Sequence, residues 1–546
     1  MSRRQILERL QADKTFDLLI VGGGATGCGV ALDAATRGLD VALVERDDFA
    51  QGTSSKSTKL VHGGVRYLEK AILKADKEQF ALVHEGLRER GYLLRNAPHL
   101  AHPVQLMTPV DSWKDAGYLF AGLTMYDLLA GRLGLGHSRF VTRSKAQRLF
   151  PTLRLGKAKG AVLYYDGQFN DARMAVTLAR TAALHGATCA NHVEVIDLVR
   201  ENGRLCGAVL RDVNSGETWQ VRARGIINAT GPFSDGLRRM DDQNACDILK
   251  VSSGIHLVID PGHTPPHLGL MVPRTDDGRV LFMIPWQGHV VFGTTDEPVD
   301  ISRDPVPTQE DIDYLLNYAG RYLSRPLSRD DVRAAWCGLR PLVFEADKSC
   351  TQELARTHVI EVSPGGLLTI TGGKWTSYRR MAEDTIDRAD AAFELGLQRP
   401  CVTRDLRVIG SRGFVRGAHA EMARDFGVDP ALARGLFELH GDETPLILTL
   451  AREEGLMDRL HPAHNYIGAQ VAFAVRHEMA VHLTDVMVRR LPLGLVDVQH
   501  TLEASAPAAD IMAQELGWDA ATRQREMEAL AAYLAAWRPA PDAATT

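Results

Sequence analysis

Cysteine is scarce in this chain: seven residues are scattered over 546 positions with no CxxC pair. An odd, dispersed set excludes a disulfide framework and a cysteine zinc site, and it fits a reducing compartment. An excess of one charge is also missing. The formal net charge is −5, so there is no basic surplus and no nucleic acid is expected as a partner. Long apolar runs are absent too. The nearest approach to a bilayer span, Ala116 to Leu135, is broken by Asp127 and Arg132. Its pattern favours a helix buried in the core over one lying on a membrane surface. The opening residues, MSRRQILERLQADKTF, lack the apolar core of a signal peptide, and a cytoplasmic location is expected.

What the chain does contain is an ordinary globular balance, 45% apolar and 24% charged, long enough for more than one core. Its organising stretch is FDLLIVGGGATGCGVALDAATRGLDVALVE, Phe16 to Glu45. A short apolar run fit for a buried parallel strand ends on Gly22-x-Gly24-x-x-Gly27. In this pattern Gly22 permits the tight turn, Gly24 lets backbone amides approach a pyrophosphate, and Gly27 lets the next helix lie close to the sheet. Ala31, Ala34 and Ala35 follow at helical spacing, then a second strand closing on Glu45. A carboxylate there can accept hydrogen bonds from a ribose, and it would repel an NADP 2′-phosphate. Strand, glycines, small-residue helix, second strand and acid in this order predict a bound dinucleotide. Placement near the start of the chain favours FAD over NAD.

After Glu45 the segment RDDFAQGTSSKSTKLVHGGVRYLEK is polar and has little to bury, which suits a loop wrapped along a cofactor. A helix is expected over Glu69–Leu94 and another over Ala172–His185 with Asp171 as a candidate cap. Strands are expected at Asn191–Arg200, Leu205–Asp212 and Thr218–Arg222, joined as hairpins by Asn202-Gly203 and Asn214-Ser215-Gly216. A separate strand at Gly225–Ala229 runs into Ala229-Thr230-Gly231-Pro232, a second place for backbone to approach a ligand. Val280–Trp286 suits a sheet covering a pocket. Arg340, Arg356 and Lys374 are cations able to meet an anion, although each taken singly is better read as a solvated surface charge. From about Arg404 the composition turns to Ala, Leu, Arg and Glu at helical spacing. There His477-Glu478 and His482 imitate a zinc-protease motif with the second ring one residue too far along, so no metal is expected. Val471, Val475, Leu483, Val486 and Leu491 read as a packed stripe.

Taken together, the opening unit, His62-Gly63-Gly64-x-Arg66-Tyr67, Ala229-Thr230-Gly231-Pro232, Gly338-Leu339-Arg340-Pro341 and Thr371-Gly372-Gly373-Lys374-Trp375-Thr376 with Tyr378-Arg379 resemble the FAD-dependent, respiratory glycerol-3-phosphate dehydrogenases. The resemblance runs over nearly the whole chain. It implies an α/β fold: a Rossmann-type FAD-binding domain over residues 1–400, interleaved with an antiparallel-sheet substrate (cap) domain at roughly 75–165 and 245–345. A C-terminal α-helical domain at 404–537 and a flexible tail at 538–546 complete the expected organisation.

The resemblance also implies roles. FAD would be held by Gly22, Gly24, Ala25, Thr26 and Gly27, by Glu45 and Arg46, and by the following loop through Thr53, Ser54, Ser55, Lys59, Leu60, His62, Gly63 and Gly64. Val193, Ala229, Thr230, Gly231, Gly373, Lys374 and Thr376 would complete its site. Arg66, Tyr67, His256, Arg340, Arg356 and Lys374 would line the substrate site, with His256, Arg340 and Lys374 catalytic. His256 is the chosen base, with an arginine or His62 as alternatives. The implied reaction oxidises sn-glycerol 3-phosphate to dihydroxyacetone phosphate, passing electrons to ubiquinone or menaquinone. Peripheral docking on a membrane lipid surface, the inner face of the cytoplasmic membrane, and a homodimer belong to the same expectation. The rivals are an oxygen-using FAD oxidase of the amino-acid, amine or glycerol-phosphate type and a flavin-bound sensor without turnover.

Overall fold

A computed structural model describes residues 2–64, 76–343 and 358–539. The apolar run Thr15–Val21 forms the central strand of the first sheet, because every residue from Leu18 to Val21 is buried and needs neighbours on both sides. It pairs in parallel with Val41–Val44 and with the far half of Thr218–Asn228. Leu367–Gly372 and Thr188–Ala190 extend the parallel set outward, and His358–Val362 adds an antiparallel edge. The helix Ala25–Thr36 crosses this sheet between the helices Asp171–Leu184 and Tyr378–Phe393. Its small residues permit that close packing: a Cβ on Gly29 would meet the Tyr378 ring at 2.9 Å.

The segments expected as two strands, Thr218–Arg222 and Gly225–Ala229, are one strand, Thr218–Asn228. Its first half completes the antiparallel meander with Val193–Glu201 and Arg204–Asp212, and its second half enters the parallel sheet. Gly225 does not break it; a side chain there would collide with Phe393, so the glycine serves packing. Asn202 and Gly203 both adopt positive φ, as a tight hairpin turn requires.

The second sheet is built from two separated chain segments. Ala101–Val110, Arg139–Thr142 and Gly160–Phe169 come from the first; Leu249–Ile259, Leu268–Val272, Leu281–Trp286, His289–Gly293 and Val332–Val343 come from the second. All their pairings are antiparallel except one, the seam where Leu268–Leu270 lies parallel to Gln105–Met107 and the two segments meet.

The helix Trp113–Ala130 departs from expectation. It buries only Ala116, Leu123, Tyr126 and Ala130, while Trp113 is 66% and Leu128 76% exposed. The expectation of a core helix is therefore wrong: its apolar residues surround the cylinder, so a single face cannot bury them all. Among the described residues no helix is long and apolar enough to cross a membrane.

Helices fill the region from His419 to Ala535. Val471, Leu483, Val486 and Leu491 are buried with Trp336 in one core, and the Trp336 Nε1 donates to the Leu495 carbonyl at 3.1 Å. Glu478 of the protease-like sequence is fully buried and receives Arg173 through two hydrogen bonds, at 2.6 and 2.8 Å. It ties the C-terminal helices to the helix Asp171–Leu184.

Candidate active site

One large cavity, about 940 Å³, runs from the first glycine turn to the second sheet. Its size is at the upper end for ligand pockets. Gly22, at φ +110°, turns the chain out of the first strand so closely that a Cβ would approach the Ala229 carbonyl oxygen at 2.6 Å. Gly27, expected at the cofactor, does not line the cavity; it packs against the Gly22 carbonyl, which any side chain would strike. The Glu45 carboxylate accepts from the backbone N–H of Gly23 at 2.6 Å and of Asp47 at 2.9 Å. Burial raises its proton affinity, with Asp47 adding to the effect. Gly22, Gly24, Ala25, Thr26, Glu45 and Arg46 line this end of the cavity.

The polar loop forms the next part of the wall, and three cross-links hold it. The Thr53 hydroxyl donates to the Leu339 carbonyl at 2.5 Å, the Trp375 indole to the Ser54 carbonyl at 2.9 Å, and the His62 amide to the Thr376 hydroxyl at 3.1 Å. Thr53, Ser54, Leu60 and His62 line the cavity together with Val193, Ala229, Thr230, Gly231, Gly373, Lys374 and Thr376. Gly373, at φ +76°, lies so close to Met381 that no side chain fits.

Four further residues assigned to the cofactor do not line the cavity. Ser55 is buried, and its carbonyl accepts from the Lys59 ammonium at 2.6 Å. Lys59 is fully buried and paired with Asp171 at 2.7 Å, under the rings of Trp286 and Trp336. Burial lowers its proton affinity, against the pull of Asp171. Asp171 is thereby the counterion of Lys59, and the cap of its helix is Asn170 instead. Gly63 donates its amide to the Tyr126 hydroxyl at 2.7 Å and is packed against Leu87; Gly64 takes a turn at φ +83°. Arg66, Tyr67 and Arg356 lie outside the described residues.

His256 and Arg340 stand on paired strands four positions apart, Arg340 opposite Ser252 and His256 opposite Trp336. The Arg340 guanidinium lies over Gly254 and donates to the Ser253 carbonyl (3.1 Å), the Thr294 hydroxyl (2.9 Å), the Thr295 carbonyl (3.0 Å) and Asp296 (3.2 Å). A side chain at Gly254 would occupy the guanidinium's place. The His256 ring stacks on Trp336 at 4.5 Å, and its Nε2 meets the Thr58 hydroxyl at 2.9 Å. Its Nδ1 is buried without a partner among the described residues. Burial first, then the nearby charges of Arg340 and Lys59, push its pKa well below the ordinary histidine value, so the ring is neutral. Both residues line the cavity, as does Lys374. Thr58, Thr294, Thr295 and Asp296 also line it and had no signal in the sequence beyond being short polar residues near a strand end.

The cavity thus joins a dinucleotide cradle, a neutral imidazole and two cations. The glycine turn and the buried Glu45 fit the adenosine and pyrophosphate of FAD, and the mixed wall beyond them leaves room for a flavin. Comparison with known proteins agrees with this geometry. Residues 17–379 match the family model "FAD dependent oxidoreductase", and residues 401–523 match "C-terminal domain of alpha-glycerophosphate oxidase". The chain is 44% identical to the probable mitochondrial glycerol-3-phosphate dehydrogenase of Caenorhabditis elegans, over 96% of this chain and 74% of that protein. It is 43% identical to the mitochondrial glycerol-3-phosphate dehydrogenase of Mus musculus, over 98% and 75%. The solved glycerol-3-phosphate dehydrogenase of Bacillus halodurans, complexed with FAD, superposes with a TM-score of 0.80 at 29% identity, covering 98% of each chain. With a glycine cradle, a cation-bearing second sheet and these matches along its length, the chain belongs to the FAD-dependent oxidoreductase family, in its glycerol-3-phosphate dehydrogenase branch.

Proposed function

We propose that this enzyme oxidises sn-glycerol 3-phosphate to dihydroxyacetone phosphate with FAD as its cofactor. The observation that carries the reading is Arg340. Four acceptors fix it over Gly254, in the wall of the same cavity as His256 and the dinucleotide cradle. Bound FAD supplies the hydride acceptor, a reactivity that no side chain here possesses.

The chain's own residues do the rest. Arg340 and Lys374 supply positive charge for the phosphate, the first as a fixed fork and the second as a point charge. Arg340 is already held by protein acceptors, so the phosphate meets a cation whose orientation is set in advance and little ordering is left to do on binding. Oxidation of the secondary alcohol requires its hydroxyl proton to leave. Thr58 stands in the cavity wall with its hydroxyl 2.9 Å from His256 Nε2, so the proton reaches Nε2 across Thr58 Oγ1. The deeply buried Nδ1 has no such route. Anaerobic addition of glycerol 3-phosphate to the yellow protein tests the reading: bleaching of the flavin is expected, and unchanged colour would refute it. Glycerol, which lacks the phosphate, should bleach it far more slowly.

The electron acceptor in this reading is a membrane quinone, ubiquinone or menaquinone, reached by peripheral docking on the inner face of the cytoplasmic membrane. Supporting it, the helix Trp113–Ala130 carries Trp113, Tyr118, Phe120, Met125 and Leu128 at its exposed surface. Large exposed aromatic and aliphatic side chains suit the boundary between headgroups and acyl chains. Hydrogen peroxide yield, compared with and without a quinone, separates this acceptor from oxygen.

A further inference from the structure

Away from the cavity, four histidines from three elements meet where the C-terminal helices approach the second sheet. His289 begins the strand His289–Gly293, His461 and His464 lie in the loop before the helix Gly468–His477, and His500 lies in the helix Val498–Glu503. The His461 and His500 rings stack with centroids 4.2 Å apart, and His464 is 5.1 Å from His500 and 5.7 Å from His289. One ring nitrogen of each of His461, His464 and His500 lies within 4.8 Å of the others. No step of the proposed reaction uses any of them.

Their hydrogen bonding leaves a conflict. His500 Nδ1 lies 3.0 Å from His464 Nε2 and also 3.0 Å from the Asp497 carboxylate. A single proton on Nδ1 can serve only one of these, which leaves two acceptors facing each other. A cation among them resolves it.

We propose that His461, His464 and His500 bind one divalent first-row transition ion, zinc being the reference case. The donors are imidazoles with no thiolate, a set that suits zinc rather than calcium or magnesium, which prefer oxygen. Ring nitrogens at zinc's bond length of about 2.0–2.1 Å stand roughly 3.4 Å apart, so small side-chain rotations close the set. Asp497, 3.0 Å from His500 Nδ1, is a carboxylate beside the site that could approach the fourth position. His461 Nε2 lies 2.9 Å from Glu503; by keeping that contact and releasing the Ala463 amide from its Nδ1 (3.2 Å), it presents Nδ1 to the ion. This is the carboxylate–histidine–metal arrangement that orients ligand rings. The three ligands come from the 461–464 loop and the helix Val498–Glu503 and none lines the cavity, so the ion is a clasp holding that loop to that helix.

The test uses untagged holoenzyme, stripped with a chelator and dialysed, then titrated with Zn²⁺ alone by calorimetry. One equivalent should bind, unaffected by Ca²⁺ or Mg²⁺ in excess. His464→Gln and His500→Gln should each weaken binding by on the order of 100-fold, and Glu503→Gln by about tenfold, with flavin content unchanged. Equal affinity in wild type and both histidine variants, or no stoichiometric binding, overturns the proposal. Should the variants lose flavin, Co²⁺ added to the wild type decides: visible absorption bands of a four-coordinate nitrogen and oxygen site are expected, and their absence overturns it.

Discussion

Gly254 matters to the phosphate site as much as Arg340 does, although it has no side chain to contribute. A Cβ there would displace the guanidinium from its four acceptors. Gly254→Ala should therefore raise KM for glycerol 3-phosphate by roughly 10–100-fold, the worth of a charge-assisted hydrogen bond, while flavin content stays at the wild-type level. Equal loss of substrate and flavin would show that the arginine does not meet the phosphate. Thr58 offers a second test at this scale. Thr58→Val should lower kcat by on the order of 100-fold and Thr58→Ser should restore most of it, since the hydroxyl is the group hydrogen-bonded to His256 Nε2. The reactive form of His256 is neutral, and its pKa is held well below 6.5 by burial and by the charges of Arg340 and Lys59. Activity should therefore stay level as pH falls through 6.5, and decline only when pH passes the depressed value. In Arg340→Gln one positive neighbour is gone, the pKa rises, and the acid limb of kcat/KM should move to higher pH.

The first strand and helix form the element on which the cofactor depends. Gly27 lies against the Gly22 carbonyl, so Gly27→Ala forces the helix Ala25–Thr36 away from the sheet. The purified variant should lose most of its flavin, read from the ratio of visible to ultraviolet absorbance; full retention would contradict the role given to this turn. Much of this element was legible beforehand, because each glycine answers a local steric demand that sequence spacing displays. The loop that follows was legible only in outline. Its polar composition pointed to a cofactor, and Thr53, Ser54, Leu60 and His62 do line the cavity. Lys59 and Ser55 turned inward instead, because Asp171, more than a hundred residues away, supplies a buried counterion. No local pattern announces such a partner. The helix Trp113–Ala130 erred in the other direction, since an apolar sequence does not reveal whether anything covers it.

At the scale of the whole molecule, buried ion pairs join the C-terminal helices to the cofactor domain. Glu478 holds Arg173 in the interior, and Asp48, on the cofactor side, pairs with both Arg489 and Arg490. The Glu478 carboxyl is kept well below its ordinary range by Arg173 and Arg180, against the cost of burial. Its contribution to stability is complete above the ordinary glutamate pKa of 4.5 and is lost as pH falls toward the depressed value. Glu478→Gln leaves Arg173 with half a partner and should cost about 3–5 kcal/mol, seen as a lower Tm in thermal unfolding at pH 7. A second outcome at this scale concerns the exposed helix. Replacing Trp113 and Leu128 together by Glu should abolish flotation with anionic liposomes and reduce quinone-linked turnover, while anaerobic flavin bleaching by substrate remains intact. Flotation undiminished in this variant would place the docking surface elsewhere.

The sequence by itself determined the dinucleotide turn, the hairpins and the helical character of the last quarter, because each depends on neighbours within a few residues: a glycine's φ, a turn dipeptide, an apolar period. It also placed His256 and Arg340 among the candidates by resemblance. Only the tertiary structure decided what those residues face. Strand register brought Arg340 over Gly254 and Thr58 to the His256 ring, and chain folding sent Lys59 to Asp171 and Glu478 to Arg173. These outcomes rest on contacts between residues far apart in the chain, where burial sets the strength of every charge and hydrogen bond, and burial is a property of the assembled core.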